Sequence, residues 1–171
     1  NYTPTDPDYP ADLQIKLYVG DARNLNEIED ESIDLIASHP PYAGIIPYSK
    51  AQVPGDLSAL RLDEYLKGMR TVARESIRVL KPGKHCALLI GDTRKHKHYV
   101  PISYRILKVF LDAGFILKED IIKEQHKTKM TREKWRGTHY DFYKIAHEHL
   151  FIFRKPEKNE RLTQYKYSIK W

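Results

Sequence analysis

Two consecutive prolines, Pro40 and Pro41, stand just behind the short apolar run Ile33-Asp34-Leu35-Ile36-Ala37. That run is bounded by polar residues and reads as a buried strand. A proline has no N–H to give a sheet ladder and its ring fixes φ, so two in a row end the strand. The chain must leave the carboxyl edge of the sheet as a stiff turn, Ser38-His39-Pro40-Pro41-Tyr42, from which Tyr42 projects. Open α/β sheets bind ligands at that edge. A rigid turn tipped by an aromatic ring suits holding a flat ring while chemistry happens at one of its atoms.

The rest of the chain alternates strand and helix. Residues 1–14, rich in Pro, Asp and Tyr, read as an extended lead-in. Ile15–Val19 is expected to form the first strand and Ile33–Ala37 the second. Residues 44–60 hold Pro47, Pro54 and Gly55 and are expected to form a long loop over the ligand-binding edge. Tyr65, Leu66, Met69, Val72, Ala73, Ile77 and Leu80 recur at helical spacing, predicting a helix over 62–80 that Pro82-Gly83 stops. Cys86–Ile90 is the third strand. Pro101 opens a second helix, with Ile102, Ile106, Leu107, Phe110 and Leu111 on one face and Gly114 at its end. Phe115–Ile122 and Leu150–Phe153 bring the strands to five, in an α/β domain. No internal repeat or low-complexity tract interrupts it.

Composition sets the bounds on function. A chain of 171 residues, 41% hydrophobic and 30% charged, is one domain of ordinary globular character. No apolar run approaches the ~20 residues of a membrane span, and the start lacks a signal peptide's pattern. Cytoplasm is the default compartment. The single cysteine, Cys86, lies in an apolar run and reads as a small core residue. A net charge of +6 mildly favours a polyanionic partner.

The proline turn and its flanks resemble a known family. Ser38-His39-Pro40-Pro41-Tyr42 is similar to the [D/N/S]-P-P-[Y/F/W] loop of S-adenosylmethionine-dependent amino-methyltransferases acting on DNA adenine N6 or cytosine N4. Leu17-Tyr18-Val19-Gly20-Asp21-Ala22-Arg23, followed by Glu31-Ser32-Ile33-Asp34-Leu35-Ile36, resembles the approach to that loop. Arg78-Val79-Leu80-Lys81-Pro82-Gly83-Lys84 resembles the family's "RVLKPGG" turn. His147-Glu148-His149-Leu150-Phe151-Ile152-Phe153-Arg154-Lys155 resembles its closing strand. Four pieces in order, spanning roughly residues 15–155, make the resemblance specific; residues 156–171 read as a polar C-terminal tail.

The resemblance implies a Rossmann-like class I methyltransferase sheet, here incomplete. The family's glycine-rich cofactor turn is absent, since the eight glycines never form a G-x-G. In the family, strands that include the one carrying that turn lie between those bracketing the "GDA" and "PPY" pieces, and without them apolar strand edges stand unpaired. Three origins are open: a piece of a longer protein, one half completed by a second chain or segment, or a relative that abandoned the cofactor.

Site roles follow from the same resemblance. Pro40 and Pro41 set the turn, Tyr42 stacks on a base flipped from the helix, and a backbone carbonyl at Pro40 accepts from its amine. His39 stands where the family has Asp, Asn or Ser; a neutral imidazole can accept through one nitrogen, and the alternative is that it merely satisfies the turn. Asp21 and Ala22, with His39, are expected to face the cofactor, S-adenosylmethionine. The plain alternative for Asp21 is an Asx turn at a strand end. Gly91-Asp92-Thr93-Arg94 reads equally as pocket wall or helix cap. His85, His96 and His98 near Asp92 match no zinc spacing and read as a solvated turn. His147 and His149 read as packing residues. Lys127, Lys129, Arg132, Lys134, Trp135 and Arg136 form a basic stretch with an aromatic, the pattern of a nucleic-acid contact or of a solvated hairpin insertion. The expected activity is methylation of an amino group on a flipped DNA base. An RNA guanine-N2 methyltransferase and a non-catalytic nucleic-acid-binding relative are the alternatives.

Overall fold

The structure, a computed structural model, describes residues 15–43, 55–125 and 142–171. Within them the helical spacing of Tyr65, Leu66, Met69, Val72 and Ala73 produces α1 (Leu62–Val79), which buries all five side chains. Asp63 and Glu64 fall in its first turn and Arg78 in its last, the charge order that the helix dipole favours. α2 (Ile102–Asp112) buries Ile102, Ile106, Leu107, Val109, Phe110 and Leu111. Gly114 ends it at φ +105°, a left-handed conformation that a side chain would strain.

The strands are β1 (Ile33–Ser38), β2 (Leu80–Gly91), β3 (Thr93–Lys95), β4 (His98–Val100), β5 (Ile116–Glu124) and β6 (His147–Arg154). Four of them form one sheet in the order β1-β2-β6-β5, and β3 and β4 make a separate hairpin. β1 and β2 are parallel, with α1 as their crossover, while β6 runs antiparallel to β2 and β5. Cys86 lies opposite Phe153 and Leu88 opposite Phe151, so one face of the sheet presents a continuous apolar stripe to the helices. Phe110 of α2 stacks on Phe153 at 5.0 Å between ring centroids, and Phe115 closes the cluster. Each such buried side chain stabilises the fold by roughly 1.5–3 kcal/mol. The result is the α/β, Rossmann-like partial sheet that the sequence implies. Cys86 is buried, and burial pushes its thiol up to about 12.

Several expectations are corrected. Ile15–Val19 is no strand: only Ile15 makes an isolated bridge, and Leu17, Tyr18 and Val19 are exposed. Among the described residues no neighbouring strand supplies ladder partners for this run, and a strand cannot persist without them. Among the described residues β1 is an edge rather than a buried strand, with β2 as its one neighbour, and Leu35 is 61% exposed. Pro82-Gly83 does not stop α1, which ends earlier as Leu80 turns extended. The dipeptide instead lies inside β2, where Ile33 opposes Leu80 but Leu35 already opposes His85. That bulge needs Gly83 at φ +75°, and a Cβ there would strike the Glu157 carboxylate at 2.0 Å. The β3–β4 hairpin, turning at His96-Lys97, was legible only as a turn.

The lead-in 1–14 and most of the expected loop, 44–54, lie outside the described residues. Residues 156–171 return to the sheet edge: Leu117 N–H donates to the Ser168 carbonyl at 2.8 Å, and Trp171 packs on Tyr104. No helix among the described residues is long and apolar enough to cross a membrane.

Candidate active site

β1 ends at Ser38, opposite Leu88, and the two prolines carry the chain away from the sheet. Pro40 is buried, His39 exposed, and Tyr42 half-buried against the core. The seat for Tyr42 is Gly91, the last residue of β2. A Cβ on Gly91 would lie 3.1 Å from Tyr42 Cε1 and 3.2 Å from its hydroxyl, so the ring uses the space that glycine leaves.

Gly91 pairs with Glu148 of β6, and Glu148 pairs with Lys123 of β5. Register therefore brings one carboxylate between the turn and a lysine. The Tyr42 hydroxyl donates to Glu148 Oε1, and Lys123 Nζ donates to Oε2 at 2.6 Å. His39 Nε2 lies 3.0 Å from the Tyr42 hydroxyl and 3.9 Å from Glu148 Oε1, with the His39 and Tyr42 rings edge to face. Glu148 is buried, and burial opposes its ionisation. Hydrogen bonds from Lys123 and Tyr42 outweigh that and hold its carboxyl below the usual range. His39 and Tyr42, foreseen from sequence, are thus joined. Gly91 reads from sequence as pocket wall or helix cap, and Lys123 opens the basic stretch that reads as a nucleic-acid contact; Glu148 was not foreseen as part of the site, nor its pairing with Lys123. The available signal was an acid flanked by apolar-strand neighbours in His147-Glu148-His149-Leu150-Phe151, since a buried charge needs a partner.

Asp21 accepts from the Arg23 N–H at 2.9 Å and from the Arg23 guanidinium, whose hydrogen bonds hold the carboxyl below its ordinary range. This is the Asx turn, tied by Arg23 to the Gly55 carbonyl at 2.9 Å. The segment that follows is clamped to α1. Arg78 donates to the carbonyls of Leu25 and Ile28, and Glu75 accepts from the Leu25 N–H and from Arg78. Arg78 and its neighbours, read from sequence as a turn motif, are therefore an anchor for the stretch between Asp21 and β1. Ala22 lines an apolar groove of about 330 Å³ with Leu25, Ile33, Ile36, Val72 and Leu88.

Asp92 takes the capping role: it accepts from Ser103 N–H at 2.7 Å and Oγ at 2.8 Å in the first turn of α2, and from the Tyr99 hydroxyl. Arg94 lies over Phe142, 4.4 Å from the ring centroid, and donates to the Tyr143 carbonyl. His149 is buried, with Nδ1 at 3.0 Å from Asp120 and its ring stacked on Phe151. His96 and His98 sit exposed in the β3–β4 hairpin. Among the described residues no group of His, Cys, Asp and Glu is arranged to hold a metal ion. Lys127, Lys129, Arg132, Lys134, Trp135 and Arg136 lie outside the described residues.

Comparison with known proteins bears on the family and the fold. The type II beta methyltransferase M.BslI of Bacillus sp. (strain NEB-606) is 29% identical over 83% of this chain and 16% of its own length. The type II methyltransferase M.BglII of Bacillus subtilis is 27% identical over 92% of this chain and 44% of its own. The chain thus spans less than half the length of these curated relatives. The solved PvuII DNA methyltransferase (cytosine-N4-specific) shares the fold, with a TM-score of 0.64 at 22% identity, over 90% of this chain and 54% of that one. A family profile described as DNA methylase, for N6 and N4 methyltransferases, matches residues 33–170. The chain belongs to this N6/N4 DNA methylase family.

Proposed function

We propose that this chain forms the base-holding part of a methyltransferase that modifies the exocyclic amine of adenine N6 or cytosine N4 in DNA. The observation that carries this reading is the turn His39-Pro40-Pro41-Tyr42 at the carboxyl end of β1, locked by the bond from Tyr42 to buried Glu148. An exocyclic amine is a poor nucleophile because its lone pair is delocalised into the ring. Acceptors held against its N–H bonds return density to nitrogen, and they work best when fixed beforehand. Tyr42 stacks on the flipped base, the carbonyl beside Pro40 accepts one N–H, and His39 accepts another. The rigid turn supplies orientation, since the amine must meet the methyl donor in line and close.

S-adenosylmethionine, when bound, supplies an electrophilic methyl group. Asp21 and Ala22 fit its adenosyl end: a carboxylate suits the adenine amine, and the apolar groove that Ala22 lines suits the ring. The 171 residues hold no G-x-G, so the remaining contacts fall to a segment or chain beyond these residues. The basic residues Lys127, Lys129, Arg132, Lys134 and Arg136, with Trp135, would neutralise DNA phosphates and stack on an exposed base.

The test is transfer of a radiolabelled methyl group to unmethylated genomic DNA by the protein at its natural full length. The reading expects incorporation that Tyr42→Ala and His39→Ala each abolish while the variants stay folded. Methylation that survives both substitutions would overturn it.

A further inference from the structure

We infer that Glu148 and Tyr42 set the tautomer of His39, so that Nε2 carries the proton and Nδ1 is left as the acceptor for the substrate amine. This deepens the proposed function and rests on it for the identity of the amine. Asp, Asn or Ser offers an acceptor oxygen in any rotamer. A neutral histidine offers one acceptor nitrogen, and which one depends on its neighbours.

The proton count decides it. The Tyr42 hydroxyl has one proton, and it meets both Glu148 Oε1 and, at 3.0 Å, His39 Nε2. Glu148 is buried and meets the Lys123 ammonium at 2.6 Å through its other oxygen, so it is ionised and has no proton to give. The phenol proton therefore goes to Glu148. The hydroxyl oxygen meets Nε2 with a lone pair, and only an N–H can face it. With Nε2 protonated, a neutral imidazole keeps its lone pair at Nδ1, which no described residue engages. The Gly91 seat holds the relay in register, because a Cβ there would push on both Tyr42 and the Glu148 Cγ at 3.4 Å. Glu148 is thus a positioning residue, acting on the amine only through Tyr42 and His39.

The test reads the tautomer directly. Long-range nitrogen–proton NMR spectra of the full-length protein, with the His39 signals assigned by His39→Ala, are expected to show the Nε2–H pattern at neutral pH. Tyr42→Phe keeps the ring but removes the lone pair, so the Nδ1–H form should become populated. In methyl-transfer kinetics Tyr42→Phe should lower kcat about tenfold, the scale of one misplaced hydrogen bond, with little change in KM. His39→Asn, which carries an acceptor oxygen that no tautomer governs, should make kcat insensitive to Tyr42→Phe. Glu148→Gln should act like Tyr42→Phe on the spectrum. An Nδ1–H wild-type spectrum, or one that Tyr42→Phe leaves unchanged, would overturn the inference. A protein with the Nε2–H spectrum but no methyl transfer would support the relay and sink the proposed function instead.

Discussion

Two apolar pentads of this chain, Ile15–Val19 and Cys86–Ile90, share length and hydrophobic character but meet opposite fates. Cys86, Leu88 and Ile90 are at most 1% exposed, lying between β1 and β6 and under both helices. Leu17 is 85% exposed, and Val19 protrudes fully. The same contrast divides the sheet: Phe153 is sealed at its centre, while Leu35 stands open on the β1 edge. Apolar pattern confers the capacity to be a strand, and a neighbour converts that capacity into one.

The contrast can be tested from its strongest end. Phe153→Ala removes a ring from the sealed cluster and is expected to destabilise by about 3–5 kcal/mol in chemical denaturation. A cost below about 1 kcal/mol would mean that this flank is looser than its packing. Arg78→Ala, which releases the segment between Asp21 and β1, should lower the melting temperature by several degrees and raise hydrogen exchange at Leu25 and Ile28. Acid sharpens the same anchor. Glu75 is held at about 2 rather than its ordinary 4.5, chiefly by Arg78 and by the Leu25 N–H. Its folded-state value is depressed, so the unfolded chain binds the proton first. The stability it contributes is complete above the unfolded value and is lost as pH falls from about 4.5 to about 2. Glu160, held at about 2 by Arg154, shares that window, so Glu75→Gln should flatten the thermal-melt profile only in part.

On the open flank the expected effects are small. Leu35→Lys should change the stability of the isolated chain by no more than about 0.5 kcal/mol while reducing its self-association in sedimentation. Leu17→Ser should do still less in the isolated chain. A loss of more than about 2 kcal/mol would show instead that Leu17 is covered, by the large cost of opening a packed site.

Both helices were legible to within a residue or two, because 3.6-residue spacing is a local property written in Tyr65, Met69 and Val72. The turn at Pro40-Pro41 was legible for the same reason: proline acts on its own φ and its own missing donor. The ends of the helix–strand junction were not. Pro82-Gly83 looks like a stop signal, yet the β2 bulge absorbs it through a pairing with β1 that no local rule contains. The site divides the same way. His39 and Tyr42 stand three residues apart and could be picked out together, whereas Glu148 lies 106 residues beyond Tyr42 and reaches it only through strand register.

By itself, then, the sequence determined both helices and the proline turn, which rest on short-range sterics and periodicity, and pointed to the family through four motifs in order. The tertiary structure alone decided which apolar run becomes a strand, which acid caps α2, and which buried carboxylate orients Tyr42 and His39. Those outcomes depend on hydrogen bonds and burial between residues far apart in the chain, and such partners exist only once the sheet has set its register.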